Sequence, residues 1–279
     1  MSETPQTAST AAAITAASDA DVLAQTVIAV HAAGSALRER FGEVVRYETR
    51  EELVRALAVN DDLALDILRP RLTRLRPEAG WVEDELDGGA LPAGEWWVVD
   101  PAEGNVNHLH ALPEWAVTAT LVRDNQPLLT VVHLPLTGET YTALAGAGAH
   151  LDGRPLHVSQ TADLGLSIVA TSQARPDEDE EVVRRAGASI TGMLSDALVV
   201  RTAVPATLHL ANLAAGRTDV FWQFAGGRAD LLPGTLLVRE AGGRISDAEG
   251  RPWTPRSDSF LAAAPGVHTQ AVSTLSRRP

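Results

Sequence analysis

Residues 96–113, WWVVDPAEGNVNHLHALP, constrain the fold more than any other stretch of the chain. Trp96, Trp97, Val98 and Val99 form a short apolar run of the kind that makes a buried strand. The run enters Asp100-Pro101, and a proline has no N–H to give a sheet ladder, so the strand is expected to stop there. Asp100 and Glu103 then stand three residues apart around a turn containing Gly104. Carboxylates at a strand end suit a hard divalent cation that takes oxygen ligands. An ordinary acidic turn accounts equally for a lone D-P-x-E-G.

The wider pattern resembles the first signature of the inositol monophosphatase superfamily, W-x-[VI]-D-P-[IL]-D-G-T-x-N-[FY]-x-x-G-x-P. Trp97, Val99, Asp100, Pro101, Gly104, Asn107, His110 and Pro113 fit it. Residues 229–243, ADLLPGTLLVREAGG, resemble the second signature through Asp230, Gly234, Leu237, Val238, Glu240, Ala241, Gly242 and Gly243. The resemblance extends over about residues 20–275. It implies an α/β fold of the layered αβαβα sugar-phosphatase type.

Composition agrees with a globular chain. Among 279 residues, 45% are hydrophobic and 21% charged, enough apolar material for a large core. There is no cysteine, so disulfides and thiolate sites are excluded. All 23 basic residues are arginine, and the net charge is −13. That balance argues against nucleic acid as a main partner. Residues 1–18 are small and polar with no basic start, as in a flexible tail. No apolar run approaches the roughly 20 residues of a membrane span. A soluble, cytoplasmic protein is expected.

Ser18 is placed to cap a helix over residues 19–41, with Gly42 ending it. Thr49 and Glu52 fit a capping box, opening a second helix that runs to Leu75 with an interruption near Pro70. Residues 115–124, 127–134 and 140–145 read as an antiparallel meander. The acidic run 177–181 reads as a helix start. The organisation is a tail, 1–18, an α+β half, 19–160, and a second α/β half, 161–279.

The resemblance assigns metal ligation to Asp100, Glu103 and Asp230. Upstream, aligning Trp81-Val82 with the apolar pair before the family's G-E-E adds Asp84 and Glu85, and a one-residue slip selects Glu83. Glu103 replaces an Asp, so it keeps the charge and reaches one methylene further. Such a set implies Mg²⁺, with Mn²⁺ as an alternative, and phosphoryl-transfer chemistry. Asp62 and Asp66 resemble a D-x-x-x-E pair whose Asp helps activate water; a solvated helix face accounts for them as well.

Several positions depart from the family pattern. Asn105 replaces the D-G-T threonine, and an amide cannot relay a proton as a hydroxyl can. Gly104, Asn105 and Val106 are the expected phosphate-binding turn. His108 stands where the family has Phe or Tyr and is a candidate substrate contact, with a plain rim histidine as the alternative. Val204 and Pro205 replace the flexible start of a G-[ST]-A-A segment, and Gln223 replaces a hydroxyl-binding Glu.

The resemblance implies a Mg²⁺-dependent phosphatase for a small phosphorylated polyol, sugar or nucleoside, acting as a homodimer, and the changes at Val204, Pro205 and Gln223 point away from inositol phosphate itself. The departures leave two alternatives. One is phosphate elimination or transfer on the same site; the other is a catalytically silent binding or scaffold protein.

Overall fold

The computed structural model describes residues 17–42, 46–83, 90–172, 178–224 and 228–277. Two helices open it. In α1 (Asp19–Arg40), the Ser18 hydroxyl accepts the Asp21 N–H, and Gly42 turns the chain at φ 110°. Its buried Val22, Thr26, Ala29, Val30, Ala33 and Leu37 recur at helical spacing along one face. By length and composition alone α1 could cross a membrane, although charged residues stand at both of its ends. Here it is built into the core instead, packed against α2 and the first sheet.

α2 (Arg50–Leu75) starts at the expected box. Thr49 Oγ1 accepts the Glu52 N–H, while Glu52 Oε2 accepts from the Glu48 N–H. It is not interrupted at Pro70. Pro70 lies on the exposed face, where water can take the bond of the carbonyl one turn back.

The first sheet has seven strands in sequential order: β1 (Gly80–Trp81), β2 (Glu95–Glu103), β3 (Ala116–Arg123), β4 (Gln126–His133), β5 (Thr140–Leu144), β6 (Gly148–Leu151) and β7 (Arg154–Pro155). β1 pairs parallel to β2, and every later pair is antiparallel, the expected meander. Asp124 and Asn125, both at positive φ, make the two-residue turn from β3 to β4. The short helix α3 (Asn105–Leu109) follows β2.

The second sheet runs β11 (Arg244–Ser246), β12 (Ser259–Ala263), β10 (Val220–Phe224), β8 (Ile168–Thr171), β9 (Val199–Thr202). β10, β8 and β9 are parallel. Their crossovers use α4 (Glu180–Asp196) and α5 (Ala206–Ala214); α6 (Arg228–Glu240) and α7 (His268–Leu275) complete the fold.

Packing sorts these elements into five layers. α1 and α2 cover one face of the first sheet, and α5 and α6 lie between the sheets. α4 and α7 cover the outer face of the second sheet. β3 is accordingly buried on both faces. This is the αβαβα arrangement expected from the two signatures. The largest apolar cluster joins Val132 and Tyr141 to Phe221, Leu237 and Leu261, so one core spans both sides of residue 160.

Candidate active site

A cleft of about 420 Å³ opens where β2 ends, where α5 and α6 begin, and beside the last residues of β8 and β10. Ligand sites in open α/β sheets gather outside such carboxyl ends of parallel strands.

β2 does not stop at Pro101 as expected. It continues to Glu103 through a bulge: Asp100 pairs with Thr118 and Glu103 with Ala116, three steps against two. Residues three apart on a regular strand face opposite sides; one inserted residue turns both carboxylates the same way. Pro101 sits in that irregularity, where no ladder bond is required of it. The Ala102 N–H donates to Asp100 Oδ1 at 3.0 Å, which fixes that carboxylate across the proline.

The third carboxylate comes from the first turn of α6. Asp100, Glu103 and Asp230 each offer an oxygen, and these atoms lie within 4.8 Å of one another. Thr207 on α5 ties the group together. Its hydroxyl donates to Glu103 Oε2 at 2.8 Å and lies 2.9 Å from the Asp230 carbonyl. Glu103 is only 3% exposed, so its rotamer is set by this contact and by packing. The α5–α6 approach depends on Gly234, where a Cβ would collide with Leu210. Three convergent hard oxygen donors are the donor chemistry that fits Mg²⁺. Glu83, the slipped alternative, is exposed and paired with Arg69 on α2. Asp84 and Glu85 lie outside the described residues.

Asn105 is on the cleft wall, but its partner is Asp61 rather than Asp62. Asn105 Nδ2 donates to Asp61 Oδ1 at 2.8 Å and to the Leu57 carbonyl at 3.0 Å. Its Oδ1 accepts from Asn60 Nδ2 at 2.8 Å. Two acceptors on one side and a donor on the other fix the amide orientation. Burial pushes the Asp61 carboxyl up to about 6; the bond from Asn105 opposes the rise, and the Asp62 charge adds to it. Asp62 is exposed, in a shallow groove with Asp66 and Arg69.

His108 is not at the cleft surface. It is 4% exposed, with Nε2 2.9 Å from the Leu37 carbonyl and Nδ1 3.1 Å from Asn60 Nδ2. A carbonyl only accepts and an amide N–H only donates, so the ring is neutral with its proton on Nε2. Burial keeps its pKa below the ordinary value. It is a core residue behind Asn105, which corrects its reading as a substrate contact.

Gly104, Asn105 and Val106 line the cleft beside the carboxylates. Gly104 is required there: φ is 78°, and a Cβ would come within 2.7 Å of the Glu114 carbonyl and 3.2 Å of Pro205. Asn107 Nδ2 donates to the carbonyls of Glu114 and Val204, clamping this turn to the opposite wall. Val204 and Gln223 line that wall, and Gln223 Oε1 accepts from the Ser172 hydroxyl at 2.5 Å. Sequence reasoning missed Asp61, Asn60 and Thr207, and it gave Asn107 as a signature match without a role. The register of α2 carried a signal for the first two: Asn60, Ala64, Leu68 and Leu72 form its buried ridge, and Asp61 flanks it.

The profile of the inositol monophosphatase family matches residues 19–278, and the chain belongs to that family. It is 33% identical to an inositol-1-monophosphatase of Rhizobium meliloti, over 80% of this chain and 84% of that protein. It is 31% identical to the inositol-1-monophosphatase ImpA of Mycolicibacterium smegmatis, over 93% and 90%. Among solved structures, the extragenic suppressor protein suhB of Bartonella henselae superposes with a TM-score of 0.80. That alignment has 27% identity and covers 93% of this chain and all of that one.

Proposed function

We propose that the protein is a Mg²⁺-dependent phosphatase of a small phosphorylated polyol, sugar or nucleoside, with inositol 1-phosphate a poor substrate. The observation that carries this reading is the meeting of Asp100, Glu103 and Asp230 beside the turn of Gly104, Asn105 and Val106. Asp84 or Glu85 is the sequence-based candidate for a fourth carboxylate. When bound, Mg²⁺ would neutralise phosphoryl oxygens and acidify water.

The chain's own groups do the rest. Asp61, with a carboxyl raised to about 6, is poised to accept a proton near neutral pH. Asn105 spends both N–H donors on Asp61 and Leu57, so it holds the base instead of relaying the proton. Leu57, Val204 and Pro205 give the cleft an apolar wall that excludes water from the ester. Gln223 offers a neutral amide whose oxygen already accepts a hydrogen bond, which removes the charged acceptor for a polyol hydroxyl. A homodimer in the cytoplasm is part of the proposal. The net charge of −13 supports turnover of a small metabolite without nucleic acid. Exposed Leu194, Leu198 and Val199, beside the edge strand β9, offer apolar surface for a second copy.

Calorimetry with Mg²⁺ and Mn²⁺, followed by a phosphate-ester panel in isotope-labelled water, tests the reading. Metal affinity is expected to fall in Asp100→Asn and in Asp230→Asn. One sugar, polyol or nucleoside phosphate should turn over at about 1–10³ s⁻¹ with label entering the phosphate, and inositol 1-phosphate should fall below that range. Unchanged metal binding in both variants, or release of unlabelled phosphate, would overturn it.

A further inference from the structure

A second cavity, of about 610 Å³, lies behind the cleft on the outer face of the second sheet. Its volume is within the range of small-molecule sites. Successive strand residues face opposite sides, so β10 serves both spaces. Gln223 faces the cleft, whereas Phe224 lines the second cavity. Trp222 shares the face of Phe224, and its indole N–H donates to Ser189 on the cavity wall at 2.8 Å. The floor is therefore rigid core, not a surface crease.

The walls are rich in arginine. Arg184 and Arg185 come from α4 and Arg277 from beyond α7, against Glu181 and Glu249. Each arginine also meets one carboxylate: Arg184 meets Glu181, Arg185 meets Glu249, and Arg277 meets Asp196 just outside the lining. The Arg185 guanidinium lies 4.5 Å from the Phe224 ring centroid, so it is held in place by the floor. Glu249 reaches Arg185 only at 3.4 Å and is shared with Arg251 at 3.0 Å.

The donors are incompletely used. Arg184 spends Nε and Nη2 on Glu181, and Arg185 spends Nη2 on Glu249. Nη1 of Arg184, and Nε and Nη1 of Arg185, make no hydrogen bond to the described residues. Arg277 meets Asp196 through one nitrogen. A guanidinium carries five N–H donors in a planar fork that matches phosphate and carboxylate oxygens. An incoming anion could take the remaining donors and leave the existing pairs intact. Exposed ion pairs alone contribute little to stability, so they give no structural reason to gather three arginines around an open cavity.

We propose that this cavity binds a small organic polyanion bearing phosphate or carboxylate groups, at a site separate from the cleft. The test is calorimetry of the full chain in EDTA, with pyrophosphate and citrate as the two probes. The Arg184→Ala/Arg277→Ala variant removes cations while leaving the Arg185–Phe224 floor; circular dichroism checks its fold. At least one probe is expected to bind wild type, and about tenfold more weakly to that variant. Binding should persist in Asp100→Asn, which separates this site from the cleft. Preference between the probes tells a phosphate ligand from a carboxylate one. No binding of either probe tighter than about 1 mM, equal affinity in the arginine variant, or loss in Asp100→Asn alone would overturn the proposal.

Discussion

Asp61 and Asp62 differ by one helical step of about 100°, and that step separates a cleft residue from a solvent residue. The sequence shows two adjacent aspartates, and the family's D-x-x-x-E spacing selects Asp62, with Asp66 four residues on, because Asp61 has Leu65 at that place. The buried ridge through Asn60 and Ala64 decides otherwise, and it places Asp61 beside the Asn105 amide. The consequence is testable. Asp61→Asn keeps the shape and can still accept the Asn105 N–H through its amide oxygen, yet it cannot take a proton. Hydrolysis should fall about 10²–10⁴-fold while Mg²⁺ affinity holds, and Asp62→Asn should change neither. In wild type, kcat/KM should rise with pH through an ionisation at or below about 6, since burial raises the Asp61 carboxyl and a bound cation lowers it again. That limb should vanish in Asp61→Asn. A limb that persists there would assign the proton to another group.

At the scale of elements, the helix starts and the meander were legible: Ser18 and Thr49 cap their helices, and the strands within 115–145 pair antiparallel in order. The bulge at Pro101 was not, because a missing N–H predicts interruption equally well whether the strand ends or shifts register. Pro70 misleads similarly, since a helix packed along its other face tolerates the loss of one exposed bond. The small pair Ala33-Gly34 shows its reason only in the packing. A Cβ on Gly34 would lie 2.8 Å from His133 Cδ2 and 2.9 Å from Pro135 Cγ. The His133 ring cannot yield freely, as its Nδ1 lies 3.1 Å from Thr140 Oγ1 and its centroid lies 4.1 Å from that of the tilted His31 ring. Alanine gains about 1 kcal/mol of helix propensity over glycine, but overpacking a rigid contact costs about 1–3 kcal/mol. Gly34→Ala should therefore lower stability by up to about 2 kcal/mol, seen as a reduced urea midpoint at unchanged slope. A raised midpoint would show that the sheet relaxes around the added methyl.

The whole molecule brings its carboxylates together from distant parts of the chain. Asp100 and Glu103 ride on the first sheet, Asp230 on a helix between the sheets, and Thr207 on that helix's neighbour closes the group. Two signatures in sequence can announce such a meeting; the hydroxyl that ties it together belongs to neither. Because the site forms only when both sheets have packed, a cation that binds it binds the folded state alone. Stability should then rise by mass action, by about 2.7 kcal/mol at a concentration 100 times the dissociation constant. For a chain of this size that is a Tm increase of about 5 °C. The pH dependence has a definite sign. Asp61 has a folded-state pKa raised from 3.8 to about 6, so the metal-free protein loses stability from this group as pH rises through that window. Metal affinity rises with pH, because carboxylates ligate only when deprotonated. The gap between melting curves in Mg²⁺ and in EDTA should thus be wider at pH 7 than at pH 5, and should close in Asp230→Asn. A gap of equal width at both pH values, or one that survives in that variant, would place the stabilising cation elsewhere on the acidic surface.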